Sequence, residues 1–563
     1  MFRNRGALWV SFLAAVAATP FACSSENDES ARLGANRGSL RYVPAKLWSQ
    51  RDIPVCWDAS ADAFTDEKLV LEEVIRGARS WAAAANVRFV GWSACPTGFN
   101  QGIRIGHQVG EPVTDYIERP DSAYAEITFD LTRDSSLDQA GAYGELERCP
   151  ANSLVEADCL GTLALHQFGH ALAMMEERYW SDCDEPNGAG GSPCAELNDL
   201  ECAAFGEPDD ASIMNVCDPL PQLSAVDRRG TNLVYGAALG HQTRLADFSG
   251  DGRADLLCHQ VVNTRHDIDY AAADTYGAVD WGTQTGWCTG DRSVLFKGNF
   301  NGTAAGTHDD LLCLHLATGV IAIDFAPFSN LVNGTDWSAD LDWCVSDGSS
   351  LHVGDFDGDG DDDLLCLNRS NGVISLDHAA VNVVFGGVDW SQDNDWCVGP
   401  SSRLHVGRFG NSSVDSLLCH DLLTGTLELD YPDSSGEFDG TDWINSAGWC
   451  TGIGSELHVG DFDGDGLDDL LCHSGTSGRK LLDYNESGEF TGTDWERNAV
   501  WCNQSASRLF VGRINGDARD DMLCHNVVTG TKAVDYADSS GKFFGTNWST
   551  TAGWCHAADA QLY

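Results

Sequence analysis

Hydrophobic and polar positions change rhythm once along this 563-residue chain. Over residues 41–239, helical and strand periods are mixed. Residues 66–85 set Leu69, Leu71, Val74, Ile75 and Trp81 at helical spacing. An opening strand is predicted at 48–56, and further strand-like runs at 86–92, 102–106 and 124–131. A second helix should begin near Leu160, with Leu163, Leu165, Phe168 and Leu172 available to pack. From Arg244 onward, short alternating runs recur between Gly/Asp turns. The fullest copies are LHVGDFDGDGDDDLLC at 351–366 and LHVGDFDGDGLDDLLCH at 457–473, with RLADFSGDGRADLLCH at 244–259 as a third. Degenerate copies lie at 295–313, 404–420 and 509–525. Each later reaches a turn tryptophan, at Trp281, Trp337, Trp390, Trp443, Trp495 and Trp548, spaced by 56, 53, 53, 52 and 53. A period near 53 built from short strands predicts one four-stranded propeller blade per copy. Six copies are complete. Gln561-Leu562-Tyr563 reads as the first strand of another copy that closes the ring, giving six or seven blades. The expected fold class is therefore multidomain: an α+β domain followed by an all-β propeller.

The repeats resemble the FG-GAP/VCBS family of secreted and integrin-type propellers, over about 320 residues. In 355–363, oxygens recur at alternate positions. Asp355, Asp357, Asp359 and Asp363 supply side chains, Asp361 a backbone carbonyl, and Gly358 and Gly360 allow a tight loop. A hard cation such as calcium takes six to eight oxygens, and this spacing wraps them around one point. Asp461, Asp463, Asp465 and Asp469 repeat the pattern, and Asp247, Ser249, Asp251 and Asp255 form a third set. Strand patterns flank these loops and no Glu follows at loop position 12, which separates them from EF-hands.

Charge and cysteine content narrow the class. The net charge of −51 excludes nucleic acid as a partner, since phosphate requires clustered Lys and Arg. Residues 1–23 read as a signal peptide. Arg3 and Arg5 precede an apolar stretch from Ala7 to Ala18, too short to span a bilayer. Two processing routes stay open, cleavage after Ala17 or lipidation of Cys23, which is the one route to membrane attachment. Residues 24–40 read as a polar tether. Apart from Cys23, 20 of the 21 cysteines remain, 8 before residue 240 and 12 after, as suits an exported, disulfide-bonded protein. The repeat cysteines pair most simply within each copy, as 258/288. The competing scheme joins each Trp-Cys to the next Leu-Cys, as 288–313, and lets Cys555 meet Cys258.

The chemistry-bearing segment is His166-Gln-Phe-Gly-His170. Two histidines one helical turn apart present imidazoles on one face, close enough to grip zinc. Ser212-Ile-Met214-Asn215 follows, then Leu223-Ser-Ala-Val-Asp227…Asn232-Leu-Val-Tyr235. In this order the segments resemble the zinc helix, Met-turn and final helix of metzincin peptidases of the astacin and matrixin type. That resemblance implies a zinc endopeptidase fold over 41–239. It also exposes departures from H-E-x-x-H-x-x-G-x-x-H. The general-base Glu is Gln167, the helix-ending Gly is Ala173, and the third ligand is Glu176, followed by Glu177. Val216 stands where astacins carry Tyr. An amide cannot take and return a proton near pH 7. If the helix continued, Glu176 would lie about 9 Å beyond His170 along the axis.

The expected map is signal 1–23, tether 24–40, metzincin-like domain 41–239 and propeller 240–563. The chain is read as an exported monomer, secreted or surface-anchored. It would bind zinc and calcium and use an impaired peptidase fold and a propeller to bind an extracellular protein or glycan. The alternative is an active zinc endopeptidase whose base comes from Glu176 or Glu177.

Overall fold

A computed structural model describes residues 40–43, 46–48, 52–76, 80–109, 113–114, 124–129, 131, 153–175, 203–205, 212–214, 223–224, 227–228, 230–231, 235 and, with short interruptions, 243–563. The signal, Cys23 and the tether up to residue 39 lie outside the described residues, as do Glu176, Glu177, Val216, Cys149, Cys183, Cys194, Cys202 and Cys217.

The α+β region contains strands β1 (Leu40–Tyr42), β2 (Asp52–Trp57), β3 (Arg88–Ala94), β4 (Gly102–His107), β5 (Val113–Thr114), β6 (Tyr124–Phe129), β7 (Met174–Met175) and β8 (Ala203–Phe205). Its helices are α1 (Thr65–Arg76), α2 (Trp81–Ala84) and α3 (Ser153–Ala171). The helical stretch expected over 66–85 is thus two helices, and α3 begins seven residues before Leu160. Five strands form one sheet in the order β3-β2-β4-β6-β5. β2, β3, β4 and β6 run parallel, while β5 pairs antiparallel to β6 at the edge. Alternation in β6 buries Ala125, Ile127 and Phe129. These join Ile53, Ile103 and Ile105 of the sheet and Leu71, Val74 and Ile75 of α1 in one core. α3 enters that core through Leu163, Leu165 and Phe168, and the Phe168 ring meets Phe89 edge-on at 4.8 Å. Cys56–Cys95 ties β2 to the end of β3.

Six four-stranded sheets follow. Blade 2 is Ser293–Gly298, Asp310–His315, Val320–Asp324 and Trp337–Asp340, and blades 3 to 6 repeat that antiparallel order. Blade 1 takes Leu256–Gln260, Arg265–Asp269 and Trp281–Thr283, and receives Ala560–Leu562 from the C-terminal end as its first strand. The ring therefore closes at six blades.

The cysteines pair across copies. Cys288–Cys313, Cys344–Cys366, Cys397–Cys419, Cys450–Cys472 and Cys502–Cys524 each join a blade to the next, and Cys258–Cys555 completes the circle. This is the competing scheme; pairing within a copy is not observed. The reason lies in the Trp-Cys corner. All six of its cysteines hold φ between 52 and 57°, a left-handed turn that directs the chain from one outer strand to the next blade. The tryptophan beside each makes the same step. Trp287, Trp396, Trp449 and Trp501 donate Nε1–H to Thr335, Thr441, Thr493 and Thr546 in the turn of the following blade, at 3.0–3.1 Å. Blade 3 has Val388 at that threonine position, and Trp343 donates to Ser375 instead.

The α+β region meets the propeller through polar contacts. Arg292 Nε lies 2.7 Å from Asp52, and Arg228 Nη2 lies 3.5 Å from Glu456.

Candidate functional site

His166 and His170 face one another at the buried end of α3. His166 Nδ1 lies 2.8 Å from the Ile213 carbonyl and His170 Nδ1 3.0 Å from the Met174 carbonyl. A carbonyl only accepts, so each Nδ1 carries a proton and Nε2 is the ring atom left for a ligand. The two Nε2 atoms are 3.2 Å apart. Atoms that close either share a proton or have a metal cation between them. Two nitrogens bound about 2.0–2.1 Å from a tetrahedral zinc lie roughly 3.3–3.4 Å apart. The pair fits such an ion, and the carbonyls supply the outer-shell hydrogen bonds that metal-ligating histidines normally have.

The surroundings hold that geometry. Ser212, Ile213 and Met214 are fully buried, and a side chain at Gly169 would collide with the Met214 sulfur and the Trp81 ring. The glycine in His-Gln-Phe-Gly-His is therefore what lets the methionine turn pack under the helix. Buried Asp227 accepts from Ser212 Oγ (2.7 Å), Ile213 N (2.9 Å) and Ser224 N (2.9 Å), fixing that turn to the last helical segment. Trp48 Nε1 donates to the Ala171 carbonyl (2.7 Å) and Tyr235 Oη to the Leu172 carbonyl (3.0 Å), satisfying two of the exposed carbonyls at the end of α3.

The helix does not continue towards Glu176. It ends at Ala171, and Ala173 takes φ 67°, the left-handed conformation usually given to glycine. The chain then reverses into β7, which pairs with β1. The condition for the 9 Å displacement, a helix running on past His170, is therefore not met. Alanine makes this turn at a conformational cost. Gln167 is buried, and its Oε1 accepts from Thr114 Oγ1 at 2.6 Å, so the amide is tied to edge strand β5. Thr114 was not singled out from sequence, and Asp227 was named only within the final-helix segment, without its bonds to the Met214 turn. Their signal is faint, a threonine in a two-residue strand and an aspartate among many.

The repeat loops bring two carboxylate groups together. Asp355, Asp357 and Asp359 converge, with ligand atoms within 4.8 Å of one another, and so do Asp461, Asp463 and Asp465. In both loops the first aspartate accepts from two glycine N–H groups, Gly358 and Gly360 or Gly464 and Gly466, which hold φ between 80 and 94°. Burial and the neighbouring carboxylates push Asp355 and Asp461 up to about 6. Asp361 is buried and donates its N–H to Asp359. Asp363 and Asp469 have another use. Both are buried, and each accepts backbone N–H bonds from Phe356 and Ala379 or from Phe462 and Asn485. Asp255 does the same with Ser249 and Ala271. In the blade 1 loop, Asp247 accepts from Ser249 Oγ and Asp251 pairs with Arg253, and no group of three carboxylates converges there among the described residues. Blade 3 adds an imidazole, with His378 Nδ1 3.2 Å from Asp363.

A second aspartate set was not singled out from sequence. Asp309, Asp362, Asp415, Asp468 and Asp520 each accept the backbone N–H that heads the preceding blade's loop, from Asp247, Asn299, Asp355, Arg408 and Asp461. Ala254 occupies the sixth place, and Arg244 reaches Asp468 (3.2 Å) and Asp520 (3.5 Å) beside it. Much of the chain's acidity therefore satisfies backbone donors. Alignment of the copies would have revealed the set, because it directly precedes each Asp/Ser-Leu/Met-Leu-Cys.

No family model and no curated protein matches this chain. Among solved structures it is similar to a lectin of Agrocybe aegerita described as recognising non-reducing terminal N-acetylglucosamine. That match has 13% identity and a TM-score of 0.41, over 58% of this chain and 87% of that one. Putative 6-phosphogluconolactonases also match. That of Bacteroides fragilis has 14% identity and a TM-score of 0.32, over 51% of this chain and 78% of that one. That of Bacteroides uniformis has 12% identity and a TM-score of 0.33, over 58% and 90%. Likenesses this distant carry no functional argument. Among the described residues, seven disulfides suggest an extracellular protein, and no helix is long and apolar enough to cross a membrane.

Proposed function

We propose that residues 41–239 form a metzincin-like domain that holds zinc but lacks its general base, and that the six-blade propeller is the binding surface of an exported protein. The observation that carries this reading is the pair of Nε2 atoms 3.2 Å apart beside an amide tied to Thr114. His166 and His170 would supply two nitrogens, and the third ligand would come from Glu176, which lies outside the described residues. When bound, zinc would polarise a water or carbonyl. Gln167 can orient such a water but cannot take its proton. A missing general base removes roughly 10²–10⁴ in rate. Asp355, Asp357 and Asp359, and Asp461, Asp463 and Asp465, would hold calcium that stiffens the loops of blades 3 and 5, with Asp363 and Asp469 as outer supports. The Asp247, Ser249, Asp251 and Asp255 loop is weaker, because Arg253 already neutralises Asp251. The propeller's ligand would be an extracellular protein or glycan, and the chain would be secreted or anchored through a lipid on Cys23.

The active-peptidase reading keeps one observation in its favour, the turn at Ala173. Gln167→Glu decides between the two. Cleavage of denatured protein should be absent in the parent, and in the variant it should appear and be stopped by a chelator. Chelator-sensitive cleavage by the parent itself would establish the alternative.

A further inference from the structure

The first strands of blades 2 to 6 line the propeller's central channel, and α2 and Arg228 lie against one mouth, enclosing a cavity of about 640 Å³. Its charge runs against that of the chain. The protein has 34 Lys and Arg against 85 Asp and Glu. Yet five guanidiniums (Arg228, Arg244, Arg369, Arg403 and Arg508) and Lys297, which burial pushes down to about 7, line this cavity, against the four carboxylates Asp309, Asp362, Asp415 and Glu456. The two signs separate along the channel. The three aspartates belong to the set at the glycine ends of the first strands, where Arg244 already faces Asp468 and Asp520. Arg403 lies four residues before Gly407, about 13 Å away at the rise of a strand.

At that other mouth the guanidiniums crowd together. Arg403 Nη1 and Arg369 Nη2 both donate to the Ser402 carbonyl, at 2.6 and 2.9 Å. Two like charges thus converge on one neutral atom, and Arg403 is buried. Beside them, Arg228 of the α+β region and Arg508 of blade 6 share the field of Glu456, and burial followed by repulsion from Arg228 pushes Arg508 well down. Between mouth and aspartates stand His352 and His405, held neutral at pH 7 because burial pushes His352 down to about 4 and His405 further. Guanidiniums gathered in a partly dehydrated chamber repel one another, and a multiply charged anion relieves that repulsion while forming charge-assisted hydrogen bonds.

We propose that this chamber binds a small multivalent anion, bearing phosphate-like or carboxylate groups, through Arg369, Arg403 and Arg508, with Glu456 opposing it. This proposal does not depend on zinc or on peptidase chemistry. The test is calorimetric titration of the full disulfide-bonded chain with sulfate, standing for tetrahedral oxyanions, and separately with benzene-1,3,5-tricarboxylate. One saturable site per chain is expected for at least one probe, and the better probe identifies the class. Arg403→Gln should weaken binding at least about tenfold, and Glu456→Gln should tighten it several-fold. Melting curves establish that each variant is folded. If Arg403→Gln does not fold, the sign of the Glu456→Gln effect decides. No saturable binding of either probe, or equal affinity in the parent and Glu456→Gln, would overturn the assignment.

Discussion

Ala173 and Gln167 carry most of the meaning at the scale of single residues. Ala173 sits at φ 67°, a conformation that costs an L-residue with a Cβ about 1–2 kcal/mol. Ala173→Gly should therefore raise unfolding free energy by about 1 kcal/mol, after the glycine's greater unfolded-state entropy is deducted. Urea denaturation measures it, and an unchanged or lower midpoint would mean the turn is not left-handed. That His166 and His170 share one face of a helix was legible from their spacing, because the helix period fixes it. The turn at Ala173 was not, since alanine favours helix and only the pull of Val43, Trp48 and Tyr235 on the last carbonyls ends it there. The bonds of Thr114 and Asp227 were equally hidden, because their partners lie 53 and 14–15 residues away.

The blade is the next scale, and its period, its turns and the closing strand were readable because each copy repeats the same alternation. What the copies concealed was how many of the aspartates accept backbone N–H groups. The two full loops carry a pH consequence. Asp355 and Asp461 stand near 6 without a cation, above their ordinary 3.8. Below about pH 6 they hold protons that calcium must displace, so apparent calcium affinity should fall as pH drops from 7 to 5 and proton release should accompany binding. Calorimetry in buffers of different ionisation enthalpy reads both. Affinity flat across that range would contradict the assignment. Between blades 5 and 6, Lys480 Nζ lies 2.9 Å from Asp535, both fully buried, and 4.2 Å from the Trp501 ring centre. Lys480→Met leaves that carboxylate without its cation and should cost about 3–5 kcal/mol in thermal or denaturant unfolding. A loss below about 1 kcal/mol would show that the pair is not buried as described.

Across the whole molecule, the disulfides turn six separable sheets into one hoop. Loops of 22–25 residues closed by five of them contribute about 3–4 kcal/mol each in the chain-entropy picture, and the 297-residue span of Cys258–Cys555 about 5–6. The pairing was not legible, because separations of 22–25 and of 30–31 residues differ by only a few tenths of a kcal/mol in closure entropy. Mass mapping of the unreduced protein should give cross-copy peptides such as Cys344–Cys366 and none joining Cys258 to Cys288. Cys555→Ala should lower the melting temperature more than Cys450→Ala, since it releases the longest loop and leaves the terminal strand held by its ladder alone. The propeller thus comes as a closed, polar-rimmed platform, and the α+β region attached to it stands or falls as a metal-holding scaffold on His166 and His170. Elemental analysis of the purified chain after dialysis against a weak chelator tests that most directly. Close to one zinc per chain, lost in His170→Ala, is the predicted result. A parent chain that keeps calcium but no zinc would contradict the account and leave the histidines as a buried pair without a metal.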